Sequence, residues 1–291
     1  MTSGLSMDQG KVKIKLNGVS ETLLGLLWGR AQLSKEYGSL FYDAKAVELV
    51  EKIDYDFSTS DMPFQGILLN ISLKGNLLPV FGLIALMAKQ FDEKVKAYIA
   101  EHPRASVVNI GAGLDTTFYR VDNGSIHWYD LDLPAVIDIR KQLLPEPDRT
   151  TYIAKSLLDP SWCKDIKQTE DGIFMIAGGV LPYFEEFQVK RFFSSLADNL
   201  PGMEIVFDVT SKLSALAGNL NLWKIGLEGV HIKWTVDDAN DITRWDTRVR
   251  VIEQFPYFRG IPRDPVWGEE IKIWMDFMDE IKISNIFHVS V

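Results

Sequence analysis

An alternation of strands and helices that begins near residue 105 constrains the fold more than any other feature of the chain. Short β-rich runs are separated by segments whose apolar residues recur at helical spacing. Strands that alternate with helices form a mostly parallel sheet covered by helices on both faces. The pattern therefore predicts an α/β, Rossmann-like doubly wound fold with a mostly parallel seven-stranded sheet. The predicted strands are Ser106–Ile110, Ile126–Asp132, Thr151–Ser156, Ile173–Ala177, Glu204–Val209, Val249–Pro256 and Ile283–Ser290.

Helices are predicted on both sides of residue 105. In the first part, Ser20 and Asp43 are suitable N-caps because each precedes an apolar run at helical spacing. Toward the end of the chain, Asp264 is suited to cap the last predicted helix, which has Pro265 in its first turn. The last strand follows this helix closely enough to insert antiparallel. The predicted helices are Ser20–Lys35, Asp43–Ile53, Leu83–Ala100, Pro134–Leu144, Glu185–Leu200 and Pro265–Lys282.

Composition narrows the class of protein. Of the 291 residues, 46% are hydrophobic and 24% are charged, which is ordinary for a globular domain. The net charge of −9 argues against nucleic acid or an anionic membrane as partner, because such surfaces demand a basic face. A single cysteine, Cys163, excludes an internal disulfide framework, and the four histidines lack the spacing of metal ligands. With no apolar run of membrane-spanning length, we expect a cytoplasmic protein without a metal.

One glycine-containing loop carries most of the chemical information. The apolar run Val107–Ile110 leads into Gly111 and Gly113, which permit a tight turn and close approach of a ligand. Asp130 and Asp132 end the next predicted strand, 17 and 19 residues after Gly113. An acidic side chain at that place accepts hydrogen bonds from ribose hydroxyls in nucleotide-binding folds. The alternative interpretation is a plain turn whose glycines serve packing.

Two classes of cofactor use this geometry. Dinucleotide enzymes usually need a third glycine beneath the pyrophosphate, whereas this chain has Thr116 there. Asp115 would place a negative charge next to that phosphate. S-adenosyl-L-methionine has no phosphate, and its sulfonium and ammonium groups are cationic. The loop therefore favours S-adenosyl-L-methionine over NAD. An NAD-linked oxidoreductase is the less favoured interpretation.

The motifs resemble those of the leucine carboxyl methyltransferase family, and more closely its tetracenomycin-type polyketide O-methyltransferase branch. The resemblance covers roughly residues 17–209. It is carried by the N-terminal stretches Gly18–Leu24, Arg30–Ala31 and Tyr42–Ala46, by the first motif Val108–Arg120, by the second motif Asp130–Pro134, and by Val180–Phe184 after the fourth strand.

The resemblance implies a class I methyltransferase core at residues 105–291. It also implies an N-terminal helical cap or lid at 1–104 and a lid insertion at about 211–245. S-adenosyl-L-methionine is the implied cofactor. By position, Gly111, Ala112 and Gly113 would line its methionine part, Asp132 with Asp130 would hold the ribose, Ser156 and Leu157 would border the adenine, and Arg30 would lie near its carboxylate.

Three positions depart from the family pattern. Ser156 stands where relatives usually have an aspartate, and Gly178 stands where they have a glutamate near the donor's ammonium group. The helix before the first strand usually supplies an arginine to the donor carboxylate. Here the nearest residues are Met87 and Lys89, and Lys89 would act only as a point charge.

The acceptor side of the site is less clearly marked. Tyr183 follows the fourth strand at the carboxyl edge of the sheet, where open α/β folds place ligands, and we expect it to position the acceptor. Trp223, Trp234 and Trp245 either stack on a planar acceptor or simply pack. His231 is the histidine most suited to face this pocket, although a surface position is expected.

These features together predict an S-adenosylmethionine-dependent O-methyltransferase that acts on a carboxylate or phenolic oxygen of a small molecule. Methyl transfer from a sulfonium is an in-line displacement that chiefly requires alignment. One alternative is a non-catalytic binding module, suggested by the altered positions Ser156 and Gly178. A protein C-terminal carboxyl methyltransferase is a further, weaker alternative.

Overall fold

A computed structural model of the chain describes residues 11–14, 19–55, 57, 78–167, 171–224, 231–263, 268–282 and 284–291. Seven strands form one sheet within these residues. They are β1 (Ser106–Ile110), β2 (His127–Asp132), β3 (Thr150–Ala154), β4 (Ile173–Ala177), β5 (Glu204–Thr210), β6 (Arg250–Pro256) and β7 (Ser284–Ser290).

The sheet has the order β3-β2-β1-β4-β5-β7-β6. Strands β1 to β5 pair in parallel, and β7 runs antiparallel to both β5 and β6. The predicted seven-stranded, mostly parallel sheet with an antiparallel last strand is therefore confirmed. Because β1 to β5 and β6 all point the same way, their carboxyl ends meet at one edge of the sheet.

Helices precede the sheet and cover its faces. They are α1 (Val19–Glu36), α2 (Ala44–Lys52), α3 (Leu78–Glu101), α4 (Thr117–Val121), α5 (Pro134–Leu143), α6 (Glu186–Asn199), α7 (Lys212–Lys224), α8 (Asn240–Thr243) and α9 (Gly268–Glu280), with 3₁₀ turns at Pro160–Asp165 and Leu181–Tyr183. None of these described helices is long and apolar enough to cross a membrane.

The six predicted helices are all present, with bounds that differ by a few residues. Asp43 caps α2, since its side chain accepts a hydrogen bond from the amide of Ala46. The proposed start of the last helix at Asp264 and Pro265 lies outside the described residues. The sequence pattern does not predict α4, α7 or α8. In α7 the exposed leucines at 213, 216 and 220 recur at helical spacing without facing a core.

The described core has two layers on the sheet and a third cluster, in which α1 packs against α2. In β5, Phe207 and Val209 face one layer and Val206 faces the other, as expected for alternating side chains. Trp234 is buried in the first layer against Phe207, and Trp245 packs beside it. Trp234 and Trp245 therefore pack in the core, which is one of the two roles predicted for the tryptophans. The side chain of Trp223 lies outside the described part.

A buried arginine joins the N-terminal helices to the sheet. Arg120 in α4 forms two hydrogen bonds of 2.7 and 2.8 Å with Asp92 in α3, and a third of 2.6 Å with Asp43 at the start of α2. All three side chains are less than a tenth exposed. Bidentate pairing of this kind fixes orientation as well as distance. The three helices are thus held in one arrangement next to the end of β1.

We predict that Arg120→Leu destabilises the protein by about 3–5 kcal/mol, because Asp92 and Asp43 would stay buried without this partner. The control is Arg244→Leu, which breaks an exposed pair with Asp241. We expect it to change the free energy of unfolding by less than about 1 kcal/mol. Guanidinium chloride unfolding measures both, and equal small changes would contradict the role given to Arg120.

Candidate functional site

The loop after β1 turns sharply at two glycines. Gly111 and Gly113 have φ angles of 67° and 46°, in the left-handed region that favours glycine. A Cβ atom on Gly111 would lie 2.3 Å from Cγ2 of Val180, and one on Gly113 would lie 2.7 Å from Cδ2 of Leu23. The glycines thus let the turn after β4 and helix α1 approach the loop. Ala112 between them is buried.

Two buried arginines hold the carbonyl groups of this loop. Arg30 in α1 donates to the carbonyl of Leu114 at 2.8 Å and to Asp43 at 3.2 Å. Arg140 in α5 donates to the carbonyls of Gly113 and Asp115 at 3.1 and 2.7 Å. Three successive carbonyls are therefore fixed from outside the loop. Arg30 was expected near the donor carboxylate, but in the structure its described partners are Asp43 and Leu114, so it anchors the loop.

Asp130 belongs to the same supporting network. Its carboxylate is fully buried and accepts hydrogen bonds from Arg140 at 2.7 and 3.1 Å, from the indole of Trp128 at 2.8 Å and from Asn109 at 3.2 Å. Both oxygens are occupied by protein groups. This geometry does not support the predicted ribose contact of Asp130, which instead fixes Arg140.

Asp132 ends β2 in a different environment. One oxygen accepts a hydrogen bond of 2.8 Å from the amide of Gly113, and the other accepts one of 2.7 Å from the amide of Leu133. The side chain is partly exposed, and burial raises the pKa of its carboxyl above the ordinary value. Within the described residues it forms no ion pair. Its oxygens therefore keep lone pairs for a ligand at the carboxyl edge.

Ser156 and Leu157 follow β3 at the same edge. The hydroxyl of Ser156 accepts a hydrogen bond of 3.2 Å from the amide of Leu158. Leu157 packs against the core, and its carbonyl accepts a hydrogen bond of 3.1 Å from Trp162. Both residues are partly exposed, so the predicted contact with adenine stays a prediction.

The turn after β4 contains two exposed glycines. A Cβ atom on Gly178 would lie 3.0 Å from Cε2 of Phe91 in α3, whereas one on Gly179 would meet nothing within 4 Å. The amide of Gly179 donates a hydrogen bond of 2.6 Å to Asp208 in β5. Phe91 thus lies close to the position at which the resemblance implies an acidic side chain.

Lys89 is not brought together with the other predicted donor residues. Its ammonium group donates to the carbonyl of Leu40 at 3.0 Å. It lines a pocket of about 570 Å³ between α2, α3 and α4. Neither the glycine loop nor Asp132 lines this pocket, so the structure gives no support to a role of Lys89 toward the donor.

Tyr183 lies in the 3₁₀ turn that packs against β5. Its ring is 43% exposed. Partial burial and the negative charge of Asp208 raise the pKa of its hydroxyl. The neighbouring carbonyl of Pro182 accepts hydrogen bonds from the amides of Lys233 and Trp234 at 2.8 and 3.1 Å. The segment after α7 therefore docks beside Tyr183, and its role as a lid stays a prediction.

The remaining candidates lie away from this edge or are inert. His231 is exposed, and Cys163 is buried, with the pKa of its thiol raised to about 11 by burial. His127 contacts Thr151, and His288 contacts Glu204. No group of three metal-ligating side chains occurs among the described residues.

Asp208 is a residue of this edge that the sequence pattern did not predict as functional. It lies two residues before the end of β5, and its side chain is 7% exposed. Burial raises the pKa of its carboxyl to about 6. A single acidic residue between Phe207 and Val209, near the carboxyl end of a buried strand, is a signal that was available in the sequence.

The residues at the carboxyl edge of the sheet fit a cationic nucleoside donor such as S-adenosylmethionine. The fit rests on the turn of Gly111 and Gly113 at the end of β1 and on the partly exposed carboxylate of Asp132 at the end of β2. The nearby arginines are neutralised by buried aspartates. The edge therefore offers negative charge without an unpaired cation from Arg30, Arg120 or Arg140.

Comparison with known proteins identifies the family. The sequence model described as Leucine carboxyl methyltransferase matches residues 24–197, more than half of the chain. The chain belongs to this family. It is 30% identical over 201 residues, or 67% of each chain, to Tetracenomycin polyketide synthesis O-methyltransferase TcmP from Streptomyces glaucescens. The predicted family and its tetracenomycin-type branch are thus confirmed, and the chain is a methyltransferase by family.

Two further relatives agree with this assignment. The chain is 25% identical over 257 residues, 82% of each chain, to the S-adenosyl-L-methionine-dependent methyltransferase dpfgK from Gibberella zeae. The crystal structure of a candidate methyltransferase from Thermobifida fusca superposes with a TM-score of 0.56 at 15% identity, covering 97% of this chain and 96% of that one. At this identity the structural likeness shows the fold alone.

We predict that Gly111→Ala destabilises the protein more than Gly124→Ala. Both glycines have a positive φ, of 67° and 80°, so each alanine carries a backbone strain of about 1–2 kcal/mol. Only at Gly111 does the added Cβ meet a side chain, that of Val180, and overpacking adds roughly 1–3 kcal/mol. Urea unfolding measures the difference. Equal losses for the two variants would show that the contact with Val180 is not tight.

Proposed function

We propose that this protein is an S-adenosyl-L-methionine-dependent O-methyltransferase that acts on a carboxylate or phenolic oxygen of a small molecule. The observation that carries the proposal is the juxtaposition of the Gly111–Gly113 turn with the partly exposed Asp132 at the carboxyl edge of the sheet. Similarity to TcmP, described as a polyketide synthesis O-methyltransferase, supports oxygen as the accepting atom.

In this proposal the chain's own residues bind and align. Asp132 accepts hydrogen bonds from the ribose hydroxyls, while the amide of Gly113 keeps its carboxylate in place. Arg30 and Arg140 keep the loop rigid through its carbonyl groups. Tyr183 orients the acceptor. When bound, S-adenosylmethionine supplies a methyl group that is already activated by a positive sulfur, so alignment is the main catalytic requirement.

Binding of the demethylated product tests the donor site. S-adenosylhomocysteine at a hundred times its dissociation constant should stabilise the protein by roughly 2.7 kcal/mol. Thermal unfolding and isothermal titration calorimetry measure this. If millimolar ligand causes neither a shift of the melting temperature nor heat of binding, the proposed donor site is wrong.

We predict that Asp132→Asn weakens binding of S-adenosylhomocysteine about 10- to 100-fold. The variant loses one or two charge-assisted hydrogen bonds, worth about 1.5–3 kcal/mol in total. Asp159→Asn is the control, because Asp159 is an exposed capping residue after Ser156 and Leu157. Titration calorimetry on both variants decides, and an unchanged affinity of Asp132→Asn would remove Asp132 from the site.

A non-catalytic binding module is the second candidate. It is favoured by Gly178, which has no side chain at a position where the resemblance implies an acidic one, and by Phe91, which would lie 3.0 Å from a Cβ atom there. Transfer of radiolabelled methyl groups to any member of a panel of phenols and carboxylic acids would exclude it. A protein C-terminal carboxyl group as the acceptor is tested in the same assay with a peptide that ends in leucine.

A further inference from the structure

A hydrogen bond joins the turn after β4 to the neighbouring strand β5. The amide of Gly179 donates to Oδ1 of Asp208 at 2.6 Å, and the Asp208 side chain is only 7% exposed. Burial raises the pKa of this carboxyl to about 6, so the group is still ionised at neutral pH. A hydrogen bond to a carboxylate is shorter and roughly twice as strong as one between neutral groups. Asp208 therefore holds Gly179 firmly against β5.

The residue that follows Gly179 contacts the glycine loop, residues 111–115. A Cβ atom on Gly111 would lie 2.3 Å from Cγ2 of Val180 and 3.3 Å from Cγ1 of the same side chain. Val180 thus fills the space in which a side chain at position 111 would begin. It is partly buried and packs against the core layer that contains Phe207. Because Gly179 and Val180 are adjacent, the hydrogen bond at Gly179 determines where Val180 meets the loop.

The glycine loop is also held from two other sides. The carbonyl of Leu131 at the end of β2 accepts hydrogen bonds from the amides of Gly111 and Ala112 at 2.8 and 3.2 Å. Buried arginines hold the carbonyls of residues 113–115. On the side of β4, the three atoms nearest to a Cβ position on Gly111 all belong to Val180. Val180 therefore limits how far Gly111 can move toward β4.

We propose that Asp208 is a positioning residue of the donor site, which acts through Gly179 and Val180 on the shape of the glycine loop. This inference rests on the proposed function, because the glycine loop is part of the proposed site for S-adenosylmethionine. Asp208 needs no contact with the donor in this role. It keeps the loop in the conformation that binds, and the apparent affinity of a ligand falls with the fraction of molecules in that conformation.

A role of Asp208 in stability alone predicts a different result. A residue that only stabilises the fold changes the free energy of unfolding, but it leaves the affinity of the folded protein for a ligand unchanged. A positioning residue lowers that affinity when it is replaced. Binding of S-adenosylhomocysteine to the full chain separates the two roles and does not require the methyl acceptor to be known.

The first test compares two substitutions of Asp208 by isothermal titration calorimetry with S-adenosylhomocysteine. Asp208→Leu removes the acceptor of the Gly179 hydrogen bond at similar side-chain size, and we expect it to raise Kd about 10-fold. Asp208→Asn keeps an oxygen that can accept this hydrogen bond. We expect it to stay within about threefold of the wild type, because the hydrogen bond is weakened but not lost.

The second test asks whether Asp208 acts through Val180. Val180→Ala removes the two methyl groups nearest to Gly111 and should also raise Kd. Since both substitutions disturb the same contact, the double variant Asp208→Leu/Val180→Ala should bind no more weakly than the weaker single variant. If Asp208→Leu does not fold, Val180→Ala and Asp208→Asn still test the inference.

Val189→Ala is the matched control. Val189 is buried in α6 and belongs to the core layer against which Val180 packs. The same substitution there should lower the free energy of unfolding but leave the affinity for S-adenosylhomocysteine unchanged. Urea unfolding of every variant shows that the folded state is titrated.

Four results overturn the inference while S-adenosylhomocysteine still binds the wild type. They are wild-type affinity in Asp208→Leu or in Val180→Ala, equal losses in Asp208→Asn and Asp208→Leu, an equal loss in Val189→Ala, or independent losses that multiply in the double variant. Failure of S-adenosylhomocysteine to bind the wild type overturns the proposed function itself, so the two failures are distinguishable.

Discussion

The buried ion pair between Arg140 and Asp130 is the interaction on which the candidate site depends. Arg140 is fully buried and uses its remaining hydrogen bonds on the carbonyls of Gly113 and Asp115. Burial of a charged guanidinium group is unfavourable unless a carboxylate pairs with it. Asp130 is the carboxylate that pairs with Arg140. The shape of the loop therefore depends on an arginine that lies 25 and 27 residues after the two carbonyls that it holds.

The same logic extends to the helices before the sheet. Arg30 and Arg120 share the carboxylate of Asp43, and Arg120 also pairs with Asp92. Burial alone would raise the pKa of the Asp115 carboxyl. The pKa is nevertheless lowered, because the positive charges of Arg120, Arg30 and Arg140 act on this carboxyl. The positive charges of Arg30, Arg120 and Arg140 near the loop are thus neutralised by buried aspartates. The acidic groups that remain at the carboxyl edge, Asp132 and Asp208, face outward or stand unpaired within the described residues.

Strand and helix positions could be predicted because they depend on local patterns. Apolar runs such as Ser106–Ile110 and Ile173–Ala177 were located to the residue, and the glycine turn was visible as a motif. The partners of charged side chains could not be predicted in this way. Whether Arg30 contacts a ligand or Asp43 depends on how α1 packs against α2, which no local pattern records.

Asp130 and Asp132 show the same limit at closer range. They are two residues apart on one strand and are indistinguishable by residue type, yet Asp130 faces Trp128 and Arg140 while Asp132 contacts backbone amides at the strand end. The lone acidic residue Asp208 is visible in the sequence of β5, but its environment is not, because the turn after β4 meets β5 only in the folded chain.

The position of Asp208 also changes the meaning of Gly178. Ala177 pairs with Phe207, so Gly178 and Asp208 are the next neighbours across the two strands. A Cβ atom at 178 would lie 3.0 Å from Phe91, whereas Asp208 projects from β5, where it accepts a hydrogen bond from the amide of Gly179. The edge of the sheet therefore has a carboxylate here, but that carboxylate comes from β5 and not from the turn after β4.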